Sequence, residues 1–318
     1  MSTPIKNKLI DAKSNFKMGS ISKFEYANEV NMHHACLFDY PSFLAGTDVR
    51  DICITAEGVV VSSIAHEVSM FIDSVDLHAT PYTLLDFGSY ETDETIFLTS
   101  VFHEGDVFLD VGANLGWYSL VLGKKVPKAH IYAFEPIPST MRVFEKNINL
   151  NNISNIKTFC LGLFNKEDEM SFLYAEDVSG ATSLKLAGQT RGAMPVTEVL
   201  CKTTTLDIFC RNNAITPDLI KIDVEGAELM VVQGGVETLK HTPIILIELL
   251  RKWSKEFGYH PNDVFKILAS YGYTAWVFAK SGSGKLLPCE SITEDTVQTN
   301  FVFMHPLKHA GIISTWMV

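Results

Sequence analysis

Few folds accommodate the stretch Val107-Phe-Leu-Asp-Val-Gly-Ala-Asn-Leu-Gly-Trp-Tyr118. It begins as a short apolar run, the pattern of a parallel strand buried on both faces. It then breaks into small residues at Gly112, Ala113 and Asn114 and resumes as a helix after Gly116, from Trp117 to about Lys125. Glycine at positions 112 and 116 lets the backbone turn tightly and approach a ligand where a side chain would collide. The helix that follows points its N-terminal amides back at the turn. Strand, glycine loop and helix in this order open a nucleotide-binding α/β fold.

Two cofactor classes use such a turn, and spacing separates them. A dinucleotide site needs G-x-G-x-x-G, with the pyrophosphate on the helix N-terminus. Counted from Gly112, the second glycine position holds Asn114 and the third holds Trp117. Both fail, which ranks a nicotinamide oxidoreductase last. G-x-N-x-G preceded by Asp110 suits a ligand with an adenosine half and no pyrophosphate, and S-adenosylmethionine is such a ligand. Its ammonium needs an acceptor, and Asp110, at the carboxyl end of the strand, supplies one directly or through water.

Size and charge narrow the class. The 318 residues suffice for one large α/β domain with an extension, and 47% hydrophobic residues are those of a chain with a full core. A formal net charge of −11 argues against a nucleic-acid partner, which normally needs a basic face. No apolar run reaches membrane-span length, and the start lacks the apolar segment of a signal peptide. The six cysteines are scattered without a C-x-x-C pair, so reduced, buried thiols in a cytoplasmic protein are expected.

Taken in order, residues 1 to about 25 carry five lysines and predict a mobile or loosely docked arm. Ile52–Thr55 and Val59–Ser62 flank Ala56-Glu-Gly58 as a hairpin, and Val68, Met70 and Ile72 alternate as a further strand. Residues 1–90 are therefore expected to form a β-rich extension that caps the substrate or mediates self-association into a homo-oligomer. Residues 91–318 are expected to form the nucleotide-binding domain. Within it strands alternate with helices, which implies a parallel sheet. The strands fall at 107–109, 131–134, 156–163, 219–222 and 243–247, and 273–278 with 299–304 close the sheet as an antiparallel pair. Between them, 169–174 and 196–202 pair around a loop at 179–183.

In open parallel sheets ligands sit outside the carboxyl ends of the strands. Four acids fall at such ends: Asp110, Glu135, Asp223 and Glu248. Glu135 lies 135 − 112 = 23 residues beyond Gly112, about the separation at which an acid reaches the ribose of a nucleotide held by a glycine loop. Otherwise it caps the helix that starts near Ser139.

Phe108-Leu-Asp-Val-Gly-Ala-Asn-Leu-Gly-Trp-Tyr-Ser119, Phe134-Glu-Pro136 and Leu219-Ile-Lys-Ile-Asp-Val-Glu-Gly-Ala-Glu228 together resemble the FkbM family of S-adenosylmethionine-dependent methyltransferases. The likeness runs from about Glu91 to Met304. It implies a Rossmann-like class I methyltransferase fold: a mostly parallel seven-stranded sheet with helices on both faces. It also implies that Asp110, Gly112, Ala113, Asn114 and Gly116 hold the methionine side of the cofactor and Glu135 the ribose. Leu163, within Gly162-Leu-Phe164, would lie near the adenine. Members of the family typically methylate hydroxyls of sugars or secondary metabolites, so a small-molecule acceptor is implied.

Methyl transfer from a sulfonium is an in-line displacement, which depends mainly on positioning the acceptor. A base for the hydroxyl proton is typically worth about two to four orders of magnitude. Asp223 is the first candidate, at once catalytic and cofactor-facing; Glu225 and Glu248 are the others. Glu228 reads as a helix-surface or capping acid. Asp223 and Glu248 raise a second mechanism, in which Mg²⁺ polarises the hydroxyl; no tight His/Asp ligand pattern favours it, and no metal ligands are assigned. The competing functions are an N-methyltransferase, for which no Asn-Pro-Pro-type sequence follows the fourth strand, and a binding or assembly protein that kept the fold without the activity.

Overall fold

The computed structural model describes residues 8–175, 180, 182–184, 196–279 and 284–318. By contacts the chain divides into two compact units, residues 1–48 and 49–318. The first contains α1 (Lys8–Lys17), α2 (Lys23–His34) and α3 (Tyr40–Phe43), with a 3₁₀ turn at Ala35–Phe38. Ser22 opens α2 through a capping box: its Oγ accepts from Glu25 N at 3.2 Å, and Glu25 Oε2 accepts from Ser22 N at 2.8 Å. Phe16 stacks on Tyr26 with ring centroids 4.8 Å apart. The arm expected through about residue 25 is thus helical from Lys8; its first seven residues lie outside the described ones.

The second unit opens with β1 (Val49–Ile54), β2 (Val59–Ser63) and β3 (Ser69–Ile72), an antiparallel sheet in that order. The expected hairpin closes with Thr55 N donating to Gly58 O at 2.9 Å. These strands belong to the same compact unit as the large sheet. The edge of β3 is sealed by side chains of a later helix. Asn147 Oδ1 accepts from Phe71 N at 2.9 Å, and Asn151 pairs with both Ser69 N and Ser69 O at 2.8 and 2.7 Å. An open edge would leave those backbone groups unpaired.

After α4 (Thr80–Phe87) and α5 (Thr92–Val101) come β4 (Val107–Val111), α6 (Trp117–Lys125), β5 (His130–Phe134), α7 (Pro138–Leu150) and β6 (Ile156–Phe159). A small sheet follows, of β7 (Gly162–Leu163), β8 (Asp168–Tyr174) and β9 (Thr197–Thr204), in the order β7-β9-β8. The chain returns through α8 (Leu206–Asn213), β10 (Leu219–Ile222), α9 (Glu228–Gln233), α10 (Val236–Leu239) and β11 (Ile244–Glu248). It ends with α11 (Arg251–Glu256), α12 (Asn262–Ser270), β12 (Thr274–Phe278), β13 (Leu286–Pro288), β14 (Asn300–Met304) and α13 (Ala310–Trp316).

The large sheet runs β13-β12-β14-β11-β10-β4-β5-β6. Strands β6, β5, β4, β10 and β11 are mutually parallel, while β14, β12 and β13 are antiparallel to their neighbours. The order reverses between β4 and β10, which sets a crevice at their carboxyl ends. This is the expected Rossmann-like, class I methyltransferase architecture, with two corrections. The sheet has eight strands, not seven, because the connection after β12 adds β13 at the edge. The segment 156–163 is two strands, not one: the chain leaves the large sheet after Phe159, and Gly162–Leu163 pair with Thr203–Thr204 instead.

Alternation along the central strands supplies both faces. Leu109, Val111, Ile220, Ile222, Ile245 and Ile247 pack with Phe209 of α8, Val232 of α9, and Val264, Phe265 and Leu268 of α12. On the other side Phe108 meets Phe102, and Phe97 of α5 packs edge-on against Phe278 and Trp316. All six cysteines are free. Only Cys201 and Cys210 are buried, and Cys36, Cys53 and Cys160 are exposed, which corrects the expectation of buried thiols. Among the described residues no helix is long and apolar enough to cross a membrane.

Candidate functional site

The carboxyl ends of β4, β5, β10 and β11 border one cleft, lined on its floor by Gly112, Asn114, Glu135, Asp223, Glu225 and Glu248. Gly112 has φ +80°, and a Cβ there would lie 1.8 Å from the carbonyl oxygen of Asp223. The two loops therefore touch backbone to backbone, as only glycine permits. Gly116, φ +91°, seats against the Phe144 ring behind the loop. Three further residues around the cleft hold left-handed backbone without being glycine: Glu91, Asn114 and Glu225. Such conformations cost energy and concentrate where function fixes them.

Glu135 is buried at the end of β5. Its Oε1 accepts from Ile137 N at 3.0 Å and its Oε2 from Asn114 N at 3.1 Å. Burial pushes its pKa up to about 7, against the pull of those two amides. It thus braces the turn that leads into α7 and ties the glycine loop to β5.

Lys221 is the charge around which the site is arranged. It lies in the middle of the buried strand β10, and its Nζ donates to Gly112 O and to Asp223 Oδ2, each at 3.0 Å. It also stands 5.5 Å above the Tyr118 ring. Burial works against the ammonium, but Asp223, Asp110 and Glu91 outweigh it and raise its pKa. The carboxylates outnumber it. Burial, then Asp223, Glu225 and Glu91, push Glu248 up to about 10. Burial, then Asp223 and Glu228, push Glu225 up as well. Glu91, up to about 7 through burial, accepts from the Tyr118 hydroxyl.

The sequence candidates divide into two groups. Gly112, Asn114, Glu135, Leu163, Asp223, Glu225 and Glu248 all line the cleft. Asp110, Ala113 and Gly116 do not: they shape it from behind. Asp110 is buried beneath the loop, where its Oδ2 accepts from Ser119 Oγ at 2.6 Å and it faces Lys221, while its Oδ1 has no hydrogen-bond partner among the described residues. Glu228 is no surface acid: it is buried, accepting from Gly226 N at 2.9 Å and from Tyr259 OH at 2.9 Å, and so it fixes the turn that carries Glu225. Trp117 stays clear of the cleft, its indole N–H donating to Thr95 Oγ1 at 3.0 Å. Of the loop at 179–183, residues 179 and 181 lie outside the described ones; Gly180 and Thr182 line the cleft, and Ser183 Oγ donates to Glu225 O at 2.6 Å.

Sequence reasoning missed Lys221, Tyr90, Glu91, His78 and Thr80, although the last four also line the cleft. A lysine inside an apolar strand was a usable signal, since a buried ammonium needs partners. Nothing local marked Glu91, which arrives from the end of a helix that reads as ordinary. His103, His241 and His260 lie away from the cleft.

Residues 110–275 match the profile of the methyltransferase FkbM domain. The chain is similar to Methyltransferase 1 of Beauveria bassiana, 26% identical over 148 residues that cover 42% of this chain and 59% of that protein. Hexuronic acid methyltransferase AglP of Haloferax volcanii is 28% identical over 180 residues, 56% of this chain and 68% of AglP. 2-O-methyltransferase NoeI of Sinorhizobium fredii is 28% identical over 153 residues, 45% of this chain and 62% of NoeI. The chain thus spans 59 to 68% of the length of these relatives. Among solved structures, a methyltransferase from Pyrococcus furiosus aligns at 14% identity and a TM-score of 0.38, over 75% of this chain and 89% of that one.

Proposed function

This chain belongs to the FkbM methyltransferase family, and from that premise we propose that it transfers a methyl group from S-adenosylmethionine to a hydroxyl of a small-molecule acceptor such as a sugar. The observation that carries the reading is the convergence of a glycine loop, the Glu135 carboxylate and the Asp223 group on one cleft. In this reading the adenosine half runs toward Leu163 and the ribose hydroxyls bind Glu135. The methionine tail lies along Gly112 and Asn114, beside Asp223.

The acceptor then enters from the side of His78, Thr80 and Tyr90. In the transfer the methyl carbon leaves sulfur, which keeps the bonding pair, and bonds to the acceptor oxygen; the hydroxyl proton must leave as well. Lys221 occupies Asp223 Oδ2, so Oδ1 is the atom available to take that proton. The relatives AglP and NoeI, named a hexuronic acid methyltransferase and a 2-O-methyltransferase, support an oxygen acceptor on a sugar. The β1–β3 strands with α4, which brings Thr80 to the cleft, are the proposed substrate cap.

Two measurements test this. Isothermal titration should show one S-adenosylhomocysteine bound per chain, with binding lost in Glu135→Ala. Labelled methyl should pass to at least one member of a glycoside panel. No heat with either the cofactor or its product would end the reading.

A further inference from the structure

We propose that Asp223, Glu225 and Glu248 form a divalent-cation site on the acceptor side of the cleft, fitted to a hard ion such as Mg²⁺ or Mn²⁺. Each of the three offers a carboxylate oxygen, and these atoms all lie within 4.8 Å of one another. Oxygens around a hard divalent ion at about 2.1–2.5 Å sit roughly 3 Å apart when adjacent and 4–5 Å apart when opposite. The three acids therefore need no rearrangement of the backbone to share one ion. They come from the ends of two neighbouring parallel strands, β10 and β11, and from the turn after β10, so the sheet itself fixes their spacing.

A second observation points to a ligand. Glu225 Oε2 is sealed from solvent and has no hydrogen-bond partner among the described residues. Leaving such an oxygen unpartnered is unfavourable, and more so if it is charged. The available cations do not satisfy it. Lys221 is committed to Gly112 O and Asp223 Oδ2, and Lys252, the other ammonium acting on Glu225, stands 4.8 Å over the Trp253 ring. Glu91 and Glu228 add further negative charge from α5 and α9. A small cation supplies the missing partner for Glu225 and neutralises the group at once.

The inference rests on the methyltransferase reading and changes one part of it. An acceptor hydroxyl bound to the ion is polarised and loses its proton more readily. That proton passes to water at the open side of the cleft, and Asp223 serves as a ligand instead of a base. The O–H pair remains on oxygen, which then displaces the sulfur as before. Two adjacent acceptor hydroxyls and a water would complete six-fold coordination beside the three carboxylate oxygens, so the site favours a vicinal diol.

The test uses the full chain, freed of metal with a chelator and titrated with Mn²⁺ alone by electron paramagnetic resonance. S-adenosylhomocysteine binding is measured on the same samples. One saturable Mn²⁺ per chain is expected, with affinity reduced about 10–100-fold in Glu225→Gln and in Glu248→Gln. Cofactor binding in those variants should stay within about twofold of the parent, which also shows that they fold. Absence of saturable Mn²⁺ binding up to about 5 mM, well above the weak end of protein cation sites, overturns the site and leaves protonation to neutralise the acids. Unchanged Mn²⁺ affinity in both variants overturns it equally, by placing the ion elsewhere. Should Mn²⁺ bind as expected while the cofactor does not, the site stands and the methyltransferase reading falls.

Discussion

A single atom at position 112 decides whether the cleft exists. The Cβ of an alanine there would sit 1.8 Å from Asp223 O, and the backbone φ of +80° disfavours any side chain. Backbone on both sides leaves nothing flexible to give way, so the loop must move off β10. Gly112→Ala is expected to abolish S-adenosylhomocysteine binding in a titration while the far-ultraviolet circular dichroism stays unchanged; near-normal affinity would contradict the loop contact. Lys221 presents the opposite case, a residue whose removal strands its partners. In Lys221→Met the carboxylates of Asp110 and Asp223 lose their cation, and Gly112 O loses its donor. Breaking a buried ion pair from one side costs about 3–5 kcal/mol, and urea unfolding should report a loss of that order. A loss below about 1 kcal/mol would place the pair among exposed ones.

Elements carry the next level of constraint. The helix α7 does two jobs: it follows Glu135, and it seals β3 through Asn147 and Asn151. Asn147 is fully buried, and beyond Phe71 N it reaches Leu115 O at 3.1 Å, joining β3 to the glycine loop. Asn147→Ala leaves one buried donor and one buried acceptor without partners, at about 1–3 kcal/mol each. Thermal unfolding should fall by several degrees, and amide exchange in β3 should quicken selectively; uniform acceleration would deny the local role. The sequence showed only an asparagine-rich helix end at 147–155, since its partners lie 76 and 82 residues away. The same limit explains the other misses. Periodicity exposed β4, β5, β10 and β11 because burial on both faces leaves apolar runs. It could not separate β6 from β7, since the break between them is made by pairing with β9. The acids at strand ends were legible from position alone. Glu91 was not, because α5 crosses to the cleft only through tertiary packing. The capping box at Ser22, a serine followed three residues later by Glu25, was legible from spacing alone.

At the scale of the whole molecule, buried titratable groups of opposite sign shape how stability follows pH. Glu135 has a pKa of about 7 in the fold against 4.5 for the free group, so the folded chain holds a proton that the unfolded chain has released. Its ionisation therefore costs stability as pH rises from about 4.5 to 7, by up to about 3.5 kcal/mol at about 1.4 kcal/mol per unit. His309 acts at the other end. Burial lowers its pKa from 6.5 to about 4, and its Nδ1 accepts from His305 N at 3.0 Å, a bond that protonation would break. Its contribution is complete above pH 6.5 and drains away as pH falls toward 4. Between pH 4.5 and 6.5 His309 opposes Glu135, but Glu91 and Glu248, raised by burial as well, add to the Glu135 slope, so melting temperature is expected to fall with pH there, less steeply than above pH 6.5. Glu135→Gln should gain stability relative to the parent at pH 8 compared with pH 5, and His309→Gln should steepen the decline below pH 6.5 and leave it unchanged above. Ligand binding adds a check that stability cannot supply. In the proposed reading two ribose hydroxyls donate to ionised Glu135, so S-adenosylhomocysteine affinity should improve as pH rises through 7, with proton release on binding. Calorimetry in buffers of different ionisation enthalpy measures that release directly. A proton count of zero near pH 6.5 would mean that Glu135 binds its ligand without changing charge, and the ribose would have to be held by some other group.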